Sequence, residues 1–326
     1  MSDAHAHSPP HGSHAALTSR AAMLSVSAAA FLLLLKAYAA WATDSVAMLG
    51  SLADTGLDLI ASLITLYGVR LAAMPADDEH RFGHGKAEAI AALVQIGIIT
   101  FSALGIGWRA VDRLLHGRAT ADAEYGIAVS ALAIVTTFAL LAYQRRVIAR
   151  TGSVAIETDH VHYQSDLLLN LSVIAALALD QYAGVPGADG LFGVGIALWL
   201  GRGAWQASSR SIDQLMDKEW PEEKRRRFVE VAARHPELKG IHDLRTRRSG
   251  MHDFVQFHVW VDPSMTVAEA HRVMDEVEHK LEAEFPACEI LIHLDPEGHV
   301  DQPGNALAEA DLTAPLDRPD TPRDRS

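Results

Sequence analysis

Four residues stand out by type and spacing. In "SLADTGLDLIASLITLYG", Asp54 and Asp58 lie four apart; in "DHVHYQSDLLLN", His162 and Asp166 do the same where the apolar run "LLLNLSVIAALAL" begins. Positions i and i+4 share one face of a helix, so each pair points one way. A carboxylate near the centre of a bilayer costs about 3 kcal/mol even on the lenient insertion scale, and three independent ones about three times that. Such a sum rivals the stability of a whole domain, so something must offset it. A divalent cation does, because three carboxylates and one imidazole supply the four ligands of a tetrahedral site. The bland alternative is that these groups line a wet crevice or cap helix ends, and the early place of His162 and Asp166 in their segment keeps it open. Intramembrane ionisable residues are functional by default, and paired spacing on two separate segments favours the metal.

The elements that must hold these pairs are apolar. Segments at 23–42, 46–71, 89–108, 125–143, 163–182 and 188–205 each have about the length needed to cross ~30 Å of hydrocarbon as a helix. Lys and Arg lie in the connections 71–88 (Arg81, Lys86) and 144–158 (Arg145, Arg146, Arg150), whereas 43–45 and 183–189 hold none, which puts both termini in the cytoplasm. Arg109, Arg113 and Arg118, in the third connection, run against that orientation. The division expected is a disordered His-rich tail over 1–20, a six-helix transmembrane domain over 21–210, a soluble domain over 211–299 and a disordered tail over 300–326. Within the soluble part, "PEEKRRRFVEVAARH" reads as a helix opened by Pro221. "IHDLRTRRSG" and "HDFVQFHVWVD" read as strands joined at Ser249-Gly250. "TVAEAHRVMDEVEHKLEAEF" is a helix with a Thr266–Glu269 capping box, and "CEILIHLD" a last strand. The fold class is therefore an α-helical membrane protein with a C-terminal α+β domain of order αββαβ.

Several classes fall away. A formal charge of −13 with no basic stripe argues against nucleic acid as partner, and a single cysteine, Cys288, permits neither an internal disulfide nor a Cys₄ zinc site. The first twenty residues lack the apolar stretch of a cleavable signal. No nucleophile–base motif points to an enzyme: "HRFGH" has Arg81 where the zinc-protease helix needs its Glu, and Phe82-Gly83 reads as loop.

Other His and Asp residues are open to two readings. "DDEHRFGH" holds Asp77, His80 and His84, a three-ligand set or a merely solvated loop. Strand alternation puts Val255, Phe257 and Val259 on a core face with His258 opposite, and Ile290, Ile292 and Leu294 on a core face with His293 and Asp295 opposite. Those polar faces suit either metal or water. His5, His7, His11 and His14 hold metal loosely at most and read as part of the tail.

The strings "DTGLD", "PADDEHRFGHGKAE", "HYQSD", "HDLRTRRSG" and "IHLDP", spanning 54–296 in order, resemble the cation diffusion facilitator family. The resemblance implies a transport site of Asp54, Asp58, His162 and Asp166, a second site of Asp77, His80 and His84, and a ferredoxin-like cytoplasmic domain. At the dimer interface of that domain it implies a binuclear site of His242, His258, His271, His293 and Asp295. It also implies a charged interlock between protomers through Lys86 and Asp217.

The function expected is proton-coupled efflux of divalent metal across the inner membrane by a homodimer. Zn²⁺ is the chief cargo, with Cd²⁺ or Fe²⁺ tolerated, and bound Zn²⁺ the only cofactor. A metal-selective channel and a non-transporting metal sensor are the alternatives. Metal needs ionised carboxylates and neutral imidazole, so protons compete for the same groups.

Overall fold

The computed structural model describes residues 11–43, 46–116, 126–178, 188–285, 288–297 and 311–313. Six helices come first: α1 (His11–Thr43), α2 (Val46–Ala72), α3 (Ala87–His116), α4 (Gly126–Thr151), α5 (Val154–Ala178) and α6 (Ala188–Leu215). Among the described residues, four of them, α1 to α4, are long and apolar enough to cross a membrane.

The helices outrun the apolar segments read from sequence. Helix α1 begins at His11, so residues 11–20 belong to a helix rather than to the tail expected over 1–20; residues 1–10 lie outside those described. Arg109 and Arg113 sit on the last turns of α3, and Arg145, Arg146 and Arg150 on the last turns of α4, not in connections. Arg118 and nearly all of 300–326 fall outside the described residues. Arg is a good helix former whose long stem carries its charge to water, so a helix continues where hydropathy falls.

Helix α3 packs along α6 and against α2 and α5. The α2–α3 crossing is close because Gly68 has no side chain: a Cβ there would stand 2.2 Å from that of Ala91. Small residues at such crossings let helix backbones approach, the common solution where packing rather than the hydrophobic effect drives association.

From Met216 the chain forms a separate compact unit. It comprises α7 (Glu222–Ala232), β1 (Lys239–Ser249), β2 (His252–Val261), α8 (Val267–Glu284) and β3 (Cys288–Pro296), the order expected from sequence. Strands β1 and β2 are antiparallel; β2 and β3 are parallel, with α8 making the connection. The core joins Phe228, Val231 and Trp220 to Ile241, Val255, Phe257, Val259 and Ile290 of the sheet and to Met274, Val277 and Leu281 of α8. Phe228 meets Phe257 edge to face, with ring centroids 5.7 Å apart.

The start of α8 follows its sequence signal. Thr266 accepts from the Glu269 N–H, and Glu269 Oε2 accepts from the Thr266 backbone N–H at 3.0 Å. The Thr266 hydroxyl, donating to the same carboxylate, is the main cause holding the Glu269 carboxyl below its ordinary range.

Strand β1 opens irregularly. Its register against β2 shifts on either side of His242, and Gly240 has φ +57°. A Cβ at Gly240 would lie 2.1 Å from the Trp260 ring. Gly240→Ala therefore combines left-handed strain with a collision, and should destabilise this unit by about 2 kcal/mol or more. Thermal unfolding of the purified protein followed by tryptophan fluorescence checks this; an unchanged transition contradicts it.

Candidate metal centres

Helix α5 starts at Val154, nine residues before the apolar segment read from sequence at 163, so His162 lies in its third turn rather than at its end. There it faces α2. His162 Nε2 is 3.0 Å from Asp58 Oδ1 and 4.0 Å from Asp166 Oδ2, and the ring is buried. One donor atom from each of Asp58, His162 and Asp166 falls within 4.8 Å of the others, close enough to share one ion. Asp54, one turn away on α2, lines the same cavity of about 310 Å³ but is exposed and stands outside this trio. The neighbouring Tyr163 fixes this stretch of α5: its hydroxyl donates to the Ser25 carbonyl at 3.1 Å and accepts from Ser62 at 2.8 Å.

Two charged residues near this centre carried no role in the sequence reading. Asp159, one turn before His162, is fully buried, and Gln95 and Gln144 donate to its two oxygens at 2.9 and 2.8 Å. Lys36 of α1 lines the cavity. The lone lysine in "FLLLLKAYAAW" was the available signal for the second; Asp159 has no i+4 partner, because the groups that hold it come from α3 and α4.

The second set lies in the α2–α3 connection. Asp77 Oδ1 accepts from the backbone N–H of His80 at 2.6 Å and of Glu79 at 3.0 Å, closing a tight turn. The first of these is the largest influence holding the Asp77 carboxyl below its usual range. His84 Nδ1–H donates to the Pro75 carbonyl at 3.2 Å, which leaves Nε2 turned to Asp77 Oδ2 at 3.4 Å. Gly83, at φ +74°, makes this a loop and not a helix. Asp77, His80 and His84 also gather their donor atoms within 4.8 Å.

In the C-terminal unit, register does the gathering. His242 opposes His258 across β1–β2, and His258 opposes His293 across β2–β3, so three imidazoles cross the sheet in a row. Asp295, one step along the same face of β3, takes His242 Nε2 at 3.2 Å and His258 Nδ1 at 2.8 Å on Oδ2, and His293 Nε2 at 3.4 Å on Oδ1. His242 Nδ1–H donates to the Gly240 carbonyl at 2.7 Å, fixing the ring and aiming Nε2 at Asp295. Burial alone would raise the pKa of Asp295, but the hydrogen bond from His258 and the charges of His258, His293 and His242 outweigh it and hold the carboxyl below the usual range. The solvated-surface alternative does not describe Asp295, which is buried beneath the imidazoles.

His271 is not brought into the cluster. Its side chain is exposed and pairs with Asp275 on its own helix at 3.4 Å. Ala270, Met274, Val277 and Leu281 form the buried stripe of α8, and one residue beyond Ala270 the helix has rotated about 100° away from the sheet. Lys86 Nζ donates to the Leu215 carbonyl at 3.3 Å, and Asp217 lies 3.9 Å from Arg247.

Residues 22–216 match the cation efflux transmembrane domain, and residues 220–297 the cation efflux protein cytoplasmic domain. The chain belongs to the cation efflux family. It is 40% identical over 287 residues to the cation-efflux pump FieF of Pectobacterium atrosepticum, covering 88% of this chain and 95% of that protein. It is also 39% identical over 284 residues to FieF of Escherichia coli (strain K12 / DH10B), covering 87% and 94%. Among solved structures, the metal-bound C-terminal domain of the CzcD transporter from Thermotoga maritima is similar over 25% of this chain and 99% of its own, at 26% identity and a TM-score of 0.24. As a member of the cation efflux family the chain is a multi-pass membrane transporter of cations, not an enzyme.

The depressed carboxyl of Asp295 gives a signed expectation. A lowered folded-state pKa contributes stability above the unfolded value, about 3.9, and loses it as pH falls through the folded one. Asp295→Asn should therefore destabilise the metal-free C-terminal unit at neutral pH, and the gap to the parent should close below about pH 4. Unfolding midpoints measured with chelator across that range check it; a gap that persists unchanged at pH 3 is the contrary result.

Proposed function

We propose that this chain exports divalent transition metal, chiefly Zn²⁺, in exchange for protons, working as a homodimer in the inner membrane. All six helices cross the bilayer in this reading, both termini face the cytoplasm, and Asp54, Asp58, His162 and Asp166 carry the ion. The single observation that supports it most is the position of His162 Nε2, 3.0 Å from Asp58 and 4.0 Å from Asp166. Hydrogen bonding to a carboxylate requires a proton on that nitrogen; metal ligation requires its lone pair. Ion and proton thus occupy one place in turn, which is the chemical basis of exchange. The donor set of oxygen and imidazole suits Zn²⁺ and accommodates Cd²⁺ or Fe²⁺.

Asp77, His80 and His84 form a second, more exposed site that receives metal on the cytoplasmic side. The row of His242, His258 and His293 over Asp295 is read as the regulatory site of a ferredoxin-like cytoplasmic domain. Zinc held there would supply two positive charges to a carboxylate already ionised, and the residues present fit it: three imidazoles gathered on one buried carboxylate, an oxygen and nitrogen donor set. Lys86 and Asp217 serve as the interlock between protomers.

Zinc flux in proteoliposomes tests the reading. Asp58→Ala should lower it at least about a hundredfold, because it leaves the ion one ligand short of four and takes away the carboxylate that holds His162 Nε2. Parent flux should follow an imposed proton gradient and stop when that gradient is collapsed. Zinc flux in Asp58→Ala equal to the parent's refutes the site, and flux indifferent to the proton gradient marks a channel.

A further inference from the structure

Lys36 sits in α1 among Leu32–Leu35 and Ala37–Ala40, where a lysine has no reason to lie unless something nearby needs it. Its Nζ donates to the Thr55 hydroxyl at 2.7 Å. Thr55 is buried and lies between Asp54 and Asp58 on α2. Lys36, Thr55 and the four residues read as the transport site all line one cavity. Among the described residues the other lysine or arginine on its wall is Arg109, which is exposed and belongs to the last turns of α3. The ammonium is therefore the cation pinned beside the acidic residues of α2.

We propose that Lys36 sets the affinity of the transport cavity: a tethered cation that weakens the hold on a dication and so sets how fast the ion is released. The proposal rests on the reading of this cavity as the transport site. Three carboxylates around a doubly charged ion attract it strongly in a medium of low dielectric, and a carrier that binds too tightly does not turn over. A fixed positive charge in the same cavity cancels part of that attraction at every stage of the cycle. Affinity differences of this kind appear mainly in the off-rate, so the ammonium speeds release more than it hinders entry. Thr55 holds Nζ at its hydroxyl and so keeps the charge near the site without making it a competing ligand of the carboxylates.

The test separates charge from packing. Lys36→Gln keeps a donor for the Thr55 hydroxyl and removes the charge; Lys36→Arg keeps the charge and alters the shape. In zinc transport by the full-length protein in proteoliposomes, Lys36→Gln should lower KM for Zn²⁺ at least about tenfold and lower kcat with it, while Lys36→Arg stays within about threefold of the parent. Lys36→Gln with the parent's KM and kcat overturns the proposal, as do equal shifts in both variants. If Lys36→Gln is not recovered folded, Lys36→Met is read in the same way. Failure of both neutral variants to fold, with Lys36→Arg intact, assigns the ammonium to assembly and also overturns it. Asp58→Ala is measured alongside: normal zinc flux in that variant removes the transport-site reading itself, whereas a silent Asp58→Ala beside a parent-like Lys36→Gln removes only the role of Lys36.

Discussion

Asp159 is the constraint on which the membrane unit turns. A carboxylate with no exposed surface has to be met by donors, and the two amides that meet it come from Gln95 on α3 and Gln144 on α4. Those amides are held in turn: Thr65 of α2 donates to Gln95 Oε1 at 2.9 Å, and Gln144 Nε2 also reaches Ser25 Oγ of α1 at 3.0 Å. Five helices are thereby tied to one side chain, a single turn below His162. A buried polar network this fully satisfied specifies one arrangement of the helices around it. The rotation of α5 that presents His162 and Asp166 to α2 is thus set from beneath the site, by groups that are not ligands.

The sheet solves the same problem with different means. Asp295 is also buried and also has both oxygens occupied, yet its partners are imidazoles brought together by strand register, not amides from distant helices. Amides cannot release their hydrogens, so Asp159 has a fixed environment. Imidazoles can exchange a proton for a metal, so the surroundings of Asp295 can change charge without any strand moving. The irregular opening of β1 belongs to this arrangement: Gly240 turns the chain so that its carbonyl takes His242 Nδ1–H and its bare Cα lets the Trp260 ring lie against the backbone.

What could be read from the sequence was local. The capping box of α8, the core faces of β2 and β3 and the i,i+4 face shared by His162 and Asp166 each depend on residues within a turn or along a single strand. Helix ends were misread because hydropathy marks the part of a helix that suits lipid, whereas Arg, Gln and Ser continue the helix itself; α4 runs through Arg145, Arg146 and Arg150 for this reason. Asp159 carried no signal because its partners lie 64 and 15 residues away. The resemblance supplied His271, whereas which side of α8 meets the sheet within one chain is settled by Ala270, Met274, Val277 and Leu281, which leaves His271 exposed beside Asp275.

In the transport reading proposed above, Asp54 and Lys36 bear on how a single cavity serves both capture and release. The tight trio of Asp58, His162 and Asp166 leaves Asp54 to one side, exposed on the same wall. A third carboxylate one helical turn from that three-ligand centre offers the ion an intermediate foothold, and the lysine held by Thr55, beside Asp54 on α2, lowers the attraction of both aspartates of that helix. Strong ligands, a displaced fourth and a built-in opposing charge together keep the ion from settling too deeply, and a site that must empty on every cycle has more use for that balance than for affinity.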